Sequence, residues 1–446
     1  MKIAKIIQKT VVTAQKTMPF RLIFGVRQNC CNFASDMQYN TFTLPNGLRI
    51  IHLPSASNVV FCGYEINAGT RHERNGEEGM AHFCEHATFK GTGRRRALQV
   101  INCLESVGGD LNAFTTKEET VYYAAILKDH VGRAVDLLTD IVMHSVYPQQ
   151  EIEKEVDVIC DEIESYNDSP AELIYDEFEN LLFAGHPLGH NILGTPHRLR
   201  TYTGTDLRAF ARRHYLPQNA VFFAYGDLDF RRLVALLRKA TADMPCAEPL
   251  ADTSAAAAPL PDCVPCEVCS ERATHQSHVM IGCRAYGAHD ERRMPLYLLN
   301  NILGGPGMNA RLNLSLRERH GLVYTVESTM VSYSDTGLWS IYFGCDRHDT
   351  DKCLRLVRRE LDRMMERPLS DTQLKTAKKQ LKGQIAVACD NRESFALDFA
   401  KGYLHYGRKK NIEKLFEDID ALTADELCTV AQRLFAPENL TTLIFR

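Results

Sequence analysis

No uninterrupted apolar run reaches the roughly 18 residues that a helix needs to span a bilayer, so no membrane span is expected. A strong excess of either charge sign is also missing. The net charge of −4 argues against a nucleic-acid partner or an anionic membrane surface. An evenly paired cysteine framework is missing too. The 15 cysteines are odd in number and scattered from Cys30 to Cys428. Several, such as Cys62, Cys103, Cys160 and Cys389, sit in apolar, core-like segments, so they read as reduced thiols. The one ordered spacing, Cys263-x-x-Cys266-x-x-Cys269, has no fourth ligand at cluster spacing and reads as buried or linker thiols. Acids are absent before Asp36, while Lys2, Lys5, Lys9, Lys16, Arg21 and Arg27 are present. Arg21 splits the best apolar stretch, which argues against a secretory signal. Residues 1–36 read as a disordered N-terminal extension, with a mitochondrial presequence as the alternative. Met37 stands directly before the first convincing strand.

The rest is ordinary for a globular chain: 446 residues, 45% hydrophobic and 24% charged, enough for compact units with substantial cores. A hairpin is expected from Tyr39 to Ile51 around Pro45-Asn46-Gly47, then a strand over Val59 to Ile66. A polar loop leads to His82-Phe83-Cys84-Glu85-His86. Two imidazoles four apart on a helix point from one face, which suits two nitrogen ligands of one zinc ion. Glu85 shares that face, where a carboxylate can act as general base toward water. The pentamer alone also fits a surface helix, and a third ligand decides between them. A long helix from about Pro148 to Tyr166 carries Glu155 and Glu162, two turns apart and facing the same way. A carboxylate from that helix would complete a His, His, Glu set, and three protein ligands leave a fourth position for water.

The chain repeats itself. Thr203-x-x-Asp206-Leu207, then Ala211-x-Arg213-x-Tyr215-x-Pro217-x-Asn219, recurs as Thr423-x-x-Glu426-Leu427, then Ala431-x-Arg433-x-Phe435-x-Pro437-x-Asn439. Each Thr with an acid three residues on is a capping box, and each Pro-x-Asn precedes an apolar strand. The expected organisation is α+β: an extension over 1–36, a zinc-bearing domain over 37–243, an Ala/Pro-rich linker over 244–262, and a homologous second domain over 263–446. The second half has no H-x-x-E-H, so one zinc per chain is expected. It carries Gly304-Gly305-Pro306-Gly307, Arg317 and Tyr324 instead, which taken alone read as a loop and ordinary surface groups.

Together these residues resemble the inverted-zincin metallopeptidases of the pitrilysin, insulin-degrading enzyme and mitochondrial processing peptidase group, in its small, half-sized, bacterial-type branch. The resemblance covers about residues 38–446. It is carried by His82 to His86, by Glu155 and Glu162, by Gly108 through Thr115, by His186-Pro187-Leu188-Gly189, and by Arg317 with Gly321-Leu322-x-Tyr324. It implies that His82, His86 and Glu162 are zinc ligands, that Glu85 is the water-activating base, and that Glu155 orients a ligand histidine. It implies that Asn112, Ala113 and Phe114 form the edge strand against which substrate lies extended. Arg317 and Tyr324 would bind the substrate backbone and stabilise the oxyanion. The fold implied is one half-shell of a clamshell, built of two similar α+β domains. A second copy, or a related subunit in a heterodimer, closes the chamber around peptides or unfolded segments. The function implied is a zinc endopeptidase. The alternatives are the catalytic subunit of a heteromeric presequence-processing peptidase, or an inactive scaffold of the same fold. The compartment expected is the bacterial cytoplasm, or the mitochondrial matrix under the presequence alternative.

Overall fold

The computed structural model describes residues 38–244, 259–272 and 274–446. The expected extension 1–36 and most of the 244–262 linker lie outside the described residues. No described helix is long and apolar enough to cross a membrane.

The first sheet contains β1 (Asn40–Thr43), β2 (Arg49–Pro54), β3 (Val59–Ile66), β4 (Asp110–Thr115), β5 (Thr120–Leu127) and β6 (Ala220–Gly226). Its helices are α1 (Met80–Thr88), α2 (Ala97–Glu105), α3 (Val131–His144), α4 (Gln149–Asn167), α5 (Pro170–Leu182), α6 (Pro196–Leu199), α7 (Gly204–His214) and α8 (Phe230–Ala240). The second sheet contains β7 (Glu267–Ser270), β8 (Ser277–Ala285), β9 (Val323–Ser332), β10 (Gly337–Cys345) and β11 (Thr441–Phe445). With it come α9 (Arg293–Gly304), α10 (Thr350–Glu366), α11 (Asp371–Ala388), α12 (Arg392–Tyr406), α13 (Ile412–Ala421) and α14 (Ala424–Leu434). The fold is therefore α+β with two sheets. Both capping boxes form: Thr203 N–H donates to Asp206 Oδ2 (2.8 Å) at the start of α7, and Thr423 N–H to Glu426 Oε2 (2.7 Å) at the start of α14.

The strand orders are β1-β2-β6-β3-β5-β4 and β7-β11-β8-β10-β9. With β1 set aside they agree strand for strand. β2 and β6 pair in parallel, as do β7 and β11, and every other pairing in both runs is antiparallel. The repeat seen in the sequence is thus a repeat of topology.

Alternate residues of each strand face opposite sides. In the first sheet Ile50, Val60, Cys62, Tyr64, Tyr122 and Phe222 pack with α1, α3 and α7. The other face, with Ile51, Leu53, Val121, Tyr123, Val221 and Phe223, is covered by Phe395, Ala396, Phe399, Ala400 and Leu404 of α12. In the second sheet Val279, Ile281, Trp339, Ile341 and Ile444 pack with α9, α10 and α14. Its other face, with Met280, Leu338, Tyr342, Leu443 and Phe445, is covered by Leu173, Ile174, Phe178 and Leu182 of α5. Each sheet is closed by a helix that belongs to the other half of the chain.

Charge reinforces this exchange at the β4–β5 turn, where Lys117, Glu118 and Glu119 are all buried. The Lys117 ammonium donates to the His190 carbonyl. Glu118 accepts from Arg71 (2.8 Å) and from the hydroxyl of Ser334 (2.7 Å), in the β9–β10 turn. Glu119 pairs with Lys401 (2.6 Å) and His405 (3.0 Å) of α12. Burial opposes ionisation of Glu119, but these two partners outweigh it and hold the carboxyl down to about 2. Neighbouring Glu65 is pushed well up, by burial first and by Glu119 second.

Two outcomes follow from this packing. Phe399→Ala removes a fully buried ring from the first sheet's outer face and should cost about 3–5 kcal/mol, read by urea denaturation as one shifted transition. Two separated transitions would show instead that the sheets fold independently. Glu119→Gln leaves Lys401 and His405 facing a neutral group and should cost about 3–5 kcal/mol at pH 7. A carboxyl depressed from 4.5 to about 2 stabilises the fold above pH 4.5 and loses that contribution as pH falls toward 2. The gap between wild type and Glu119→Gln should therefore narrow below about pH 4.5, and a constant gap would exclude the ionic account.

Candidate metal centre

Helix α1 starts at a position that only glycine tolerates. Gly79 has φ +86°, and a Cβ there would lie 2.8 Å from the Cα of Gly194. Met80, Ala81, Phe83, Cys84 and Ala87 bury the helix in the first core. Cys84 belongs to this packing face: its thiol lies 3.6 Å from the Leu207 carbonyl, and burial pushes it up. The opposite face carries His82, Glu85 and His86, with the two rings 4.6 Å apart. Ile152, Val156 and Ile159 anchor α4 beside α1 and aim Glu155 and Glu162 at the histidines.

His86 is held from both sides of its ring. Its Nδ1 lies 3.0 Å from Glu155 Oε1, and its Nε2 lies 3.5 Å from Glu162 Oε2. His82 Nε2 lies 4.0 Å from the same Glu162 oxygen. Lys90, one turn after His86, pairs with the second oxygen of Glu155 at 2.5 Å. Thr115, at the end of β4, donates to Glu85 Oε2 at 2.6 Å. Burial pushes the Glu85 carboxyl up to about 7, with His86 and Thr115 opposing. It also lowers His82, helped by His86. For His86 burial is outweighed by the Glu155 hydrogen bond and the surrounding carboxylates, and the group is raised. Glu155 is lowered against its burial by His86 and Lys90. Glu162 is raised by burial, with His86 opposing.

The donor set fits zinc on two counts. A tetrahedral ion with N and O donors at its usual bond lengths holds them about 3.4 Å apart. The imidazole nitrogens stand 3.5 and 4.0 Å from Glu162 Oε2, and one ligating atom from each of the three residues lies within 4.8 Å of the others. Charge gives the second count. Three carboxylates (Glu85, Glu155, Glu162) against one ammonium (Lys90) leave two negative charges when all are ionised, which a divalent cation neutralises. Glu155 orients the ring of His86, whereas His82 Nδ1 is buried without a hydrogen-bond partner among the described residues.

Five of the residues singled out from the sequence, His82, Glu85, His86, Glu155 and Glu162, thus come together. Asn112, Ala113 and Phe114 lie on β4, the edge of the first sheet, opposite Tyr123, Tyr122 and Val121. Their side chains alternate: Ala113 packs in the core shared with α1, while Phe114 packs on the face covered by α12. Arg317 and Tyr324 sit in the second sheet's unit. Arg317 lies on a six-residue π-helical turn, with its guanidinium 5.6 Å from the centroid of the Tyr324 ring, and Tyr324 is 83% exposed at the start of β9. Thr115 and Lys90 were not foreseen as site residues. Both were within reach of simple periodicity: Lys90 is four after His86, and Thr115 is two after Ala113 on the same side of the strand.

Residues 51–196 match the insulinase family (peptidase family M16). Residues 201–381 match the family described as the peptidase M16 inactive domain. An uncharacterized zinc protease of Streptomyces coelicolor is 33% identical over 401 residues, covering 87% of this chain and 86% of that protein. Another from Bacillus subtilis is 29% identical over 405 residues, covering 90% and 97%. Among solved structures, a protease from Helicobacter pylori has a TM-score of 0.81 at 19% identity, covering 92% of this chain and 99% of that one. A peptidase M16 inactive domain from Pseudomonas fluorescens has a TM-score of 0.83 at 18% identity, covering 92% and 97%.

Proposed function

This chain belongs to peptidase family M16, and on that premise we propose that it is a zinc-dependent endopeptidase with His82, His86 and Glu162 as ligands and Glu85 as general base. The observation that supports this most is the convergence of three ligating atoms from two helices, with a further carboxylate, Glu85, beside them on the same helix face and held by Thr115. Zinc bound there supplies a Lewis acid that polarises a carbonyl and acidifies water. The chain supplies the rest. Thr115 engages Glu85 Oε2, which leaves Oε1 to take a proton from the attacking water and return it to the leaving amine. Glu155 holds His86 by its far nitrogen, and Lys90 holds Glu155. A peptide added to the free edge of β4 gains backbone hydrogen bonds along Asn112, Ala113 and Phe114. Because Thr115 of that strand touches Glu85, such a peptide passes in front of the base.

The half-buried Arg317 and the exposed Tyr324 complete the reading. A guanidinium stacked on a phenol offers two donors to a developing oxyanion. We assign them to the zinc site of a second copy, with two half-shells closing a chamber around an unfolded segment. The bacterial source of the relatives favours the bacterial cytoplasm as compartment.

Incubation of a mixed peptide library with purified wild type and with Glu85→Gln tests the chemistry. Wild type should cleave, and Glu85→Gln should keep zinc while losing at least about 100-fold in rate. Equal rates, or a silent wild type with its zinc site full, would remove the peptidase reading. Mixing tests the shared site. Glu85→Gln and Arg317→Ala should each be inactive alone. Reassorted together, half the dimers carry both chains, with one intact composite site in two, so about a quarter of wild-type activity should return. No recovery on mixing would place Arg317 in its own chain's site, and an active Arg317→Ala on its own would place it outside catalysis.

A further inference from the structure

Helix α1 begins without a side-chain cap, since its N-cap is Gly79. Its first backbone N–H groups are buried and need acceptors; that of Met80 finds the Glu77 carbonyl (2.9 Å). Those on either side of it, at Gly79 and Ala81, turn to Glu73, six residues upstream of the N-cap. Glu73 Oε2 accepts from Gly79 N–H (3.1 Å) and Oε1 accepts from Ala81 N–H (2.8 Å). Both oxygens of one carboxylate are thus spent on the first turn of the helix, and Ala81 is the residue directly before His82. The negative charge also lies at the favourable, N-terminal end of the helix dipole.

A carboxylate this deeply buried costs free energy unless it is paired. The pairing comes from His190, whose Nε2 lies 2.8 Å from Glu73 Oε2. Burial raises the Glu73 carboxyl, and the His190 hydrogen bond and the two backbone donors oppose the rise. His190 is itself fixed, because its carbonyl accepts from the Lys117 ammonium in the charged β4–β5 turn. The loop that carries it presses on α1, where Gly194 leaves no room for a side chain at Gly79. The Tyr202 hydroxyl donates to the carbonyls of Gly76 (3.2 Å) and Glu78 (3.0 Å), holding the approach to the helix. The polar partners of Glu73 are the Gly79 and Ala81 N–H groups and His190, none of them on the His82–Glu85–His86 face of the helix.

We propose that Glu73, locked by His190, is the positioning residue that sets the rotation and height of α1, and through it the placement of His82, Glu85 and His86. This rests on the reading of His82, His86 and Glu162 as zinc ligands. A carboxylate suits the task because it offers two acceptors side by side. A carboxamide offers one acceptor and one NH2, and the NH2 would meet a backbone N–H donor to donor. The two Glu73 hydrogen bonds at the N-terminus act on ligands within the next two turns, so a small rotation there moves both imidazoles together.

The test uses the full-length protein carrying Glu73→Gln, with His190→Leu and His190→Gln beside it. Hydrogen exchange in the metal-free state comes first. Peptides covering residues 79–88 should exchange about tenfold faster in Glu73→Gln than in wild type, while peptides from β5 stay unchanged. Zinc competition against a chelator should show affinity weakened about 10–100-fold. At saturating zinc, kcat should fall about tenfold or more while KM stays within about twofold, because ligand and base geometry change and the β4 edge does not. His190→Leu should follow Glu73→Gln, and His190→Gln, which keeps an N–H donor, should stay near wild type. Unchanged exchange in 79–88, or unchanged zinc affinity in Glu73→Gln and His190→Leu alike, overturns the proposal. A loss of thermal stability with zinc affinity and kcat intact does so as well. Absence of zinc binding by wild type would instead defeat the ligand assignment, while the exchange arm still decides whether Glu73 holds the helix.

Discussion

A sheet buried on both faces needs two layers of cover, and each sheet here builds only one of them from its own half of the chain. The missing layer arrives by exchange. Helix α12 covers the outer face of the first sheet with Phe395 and Phe399, and α5 covers that of the second with Phe178 and Leu182. Burial of these apolar faces is the constraint on which the rest depends, because neither sheet keeps both faces dry without the other. It also fixes how the halves meet. The exchange runs directly through the candidate metal centre: α4, which carries Glu155 and Glu162, is followed after Asp168 and Ser169 by α5. The carboxylate offered to the histidines is therefore held on one side by the first core and on the other by docking on the second sheet.

Charge works at finer resolution along the same seam. The β4–β5 turn buries three successive charged residues, and each finds its partner in a different segment: the His190 loop, the Arg71 and Ser334 pair, and α12. A set of ionic contacts that deep adds little net stability when complete, but its cost when one member is lost is large. Such a set selects one arrangement of turn, loop and helix over near alternatives. That arrangement has chemical consequences, since β4 delivers Thr115 to Glu85 and the His190 loop delivers its imidazole to Glu73. The base, the helix that carries it and the strand edge beside it are thus tied to a single turn.

Much of this was legible in the chain. The apolar strand read over Val59 to Ile66 and the long helix read over Pro148 to Tyr166 match β3 and α4 to within a residue. Spacing alone put His82, Glu85 and His86 on one face, and Glu155 and Glu162 on another. The capping boxes at Thr203 and Thr423 exposed the repeat, because a cap is a local contact with a local signature. The likeness of the two strand orders goes beyond what any local signal carries, since pairing is a relation between distant residues.

The sequence by itself determined which side chains share a face, because backbone periodicity is set within a few residues. It narrowed the chemical character of the site as well, since the pentamer fits either a surface helix or two ligands of a metal ion, and a carboxylate from the next long helix favours the second. The family resemblance implied separate roles for the two α4 carboxylates, and tertiary structure sets Glu162 near both imidazoles and Glu155 behind His86. Tertiary structure alone decided that Thr115 meets Glu85, that Glu73 reaches the first turn of α1, and that α5 and α12 change places. Contacts between residues tens or hundreds of positions apart depend on how whole faces are buried, and a local pattern holds no record of which distant face will arrive to cover it.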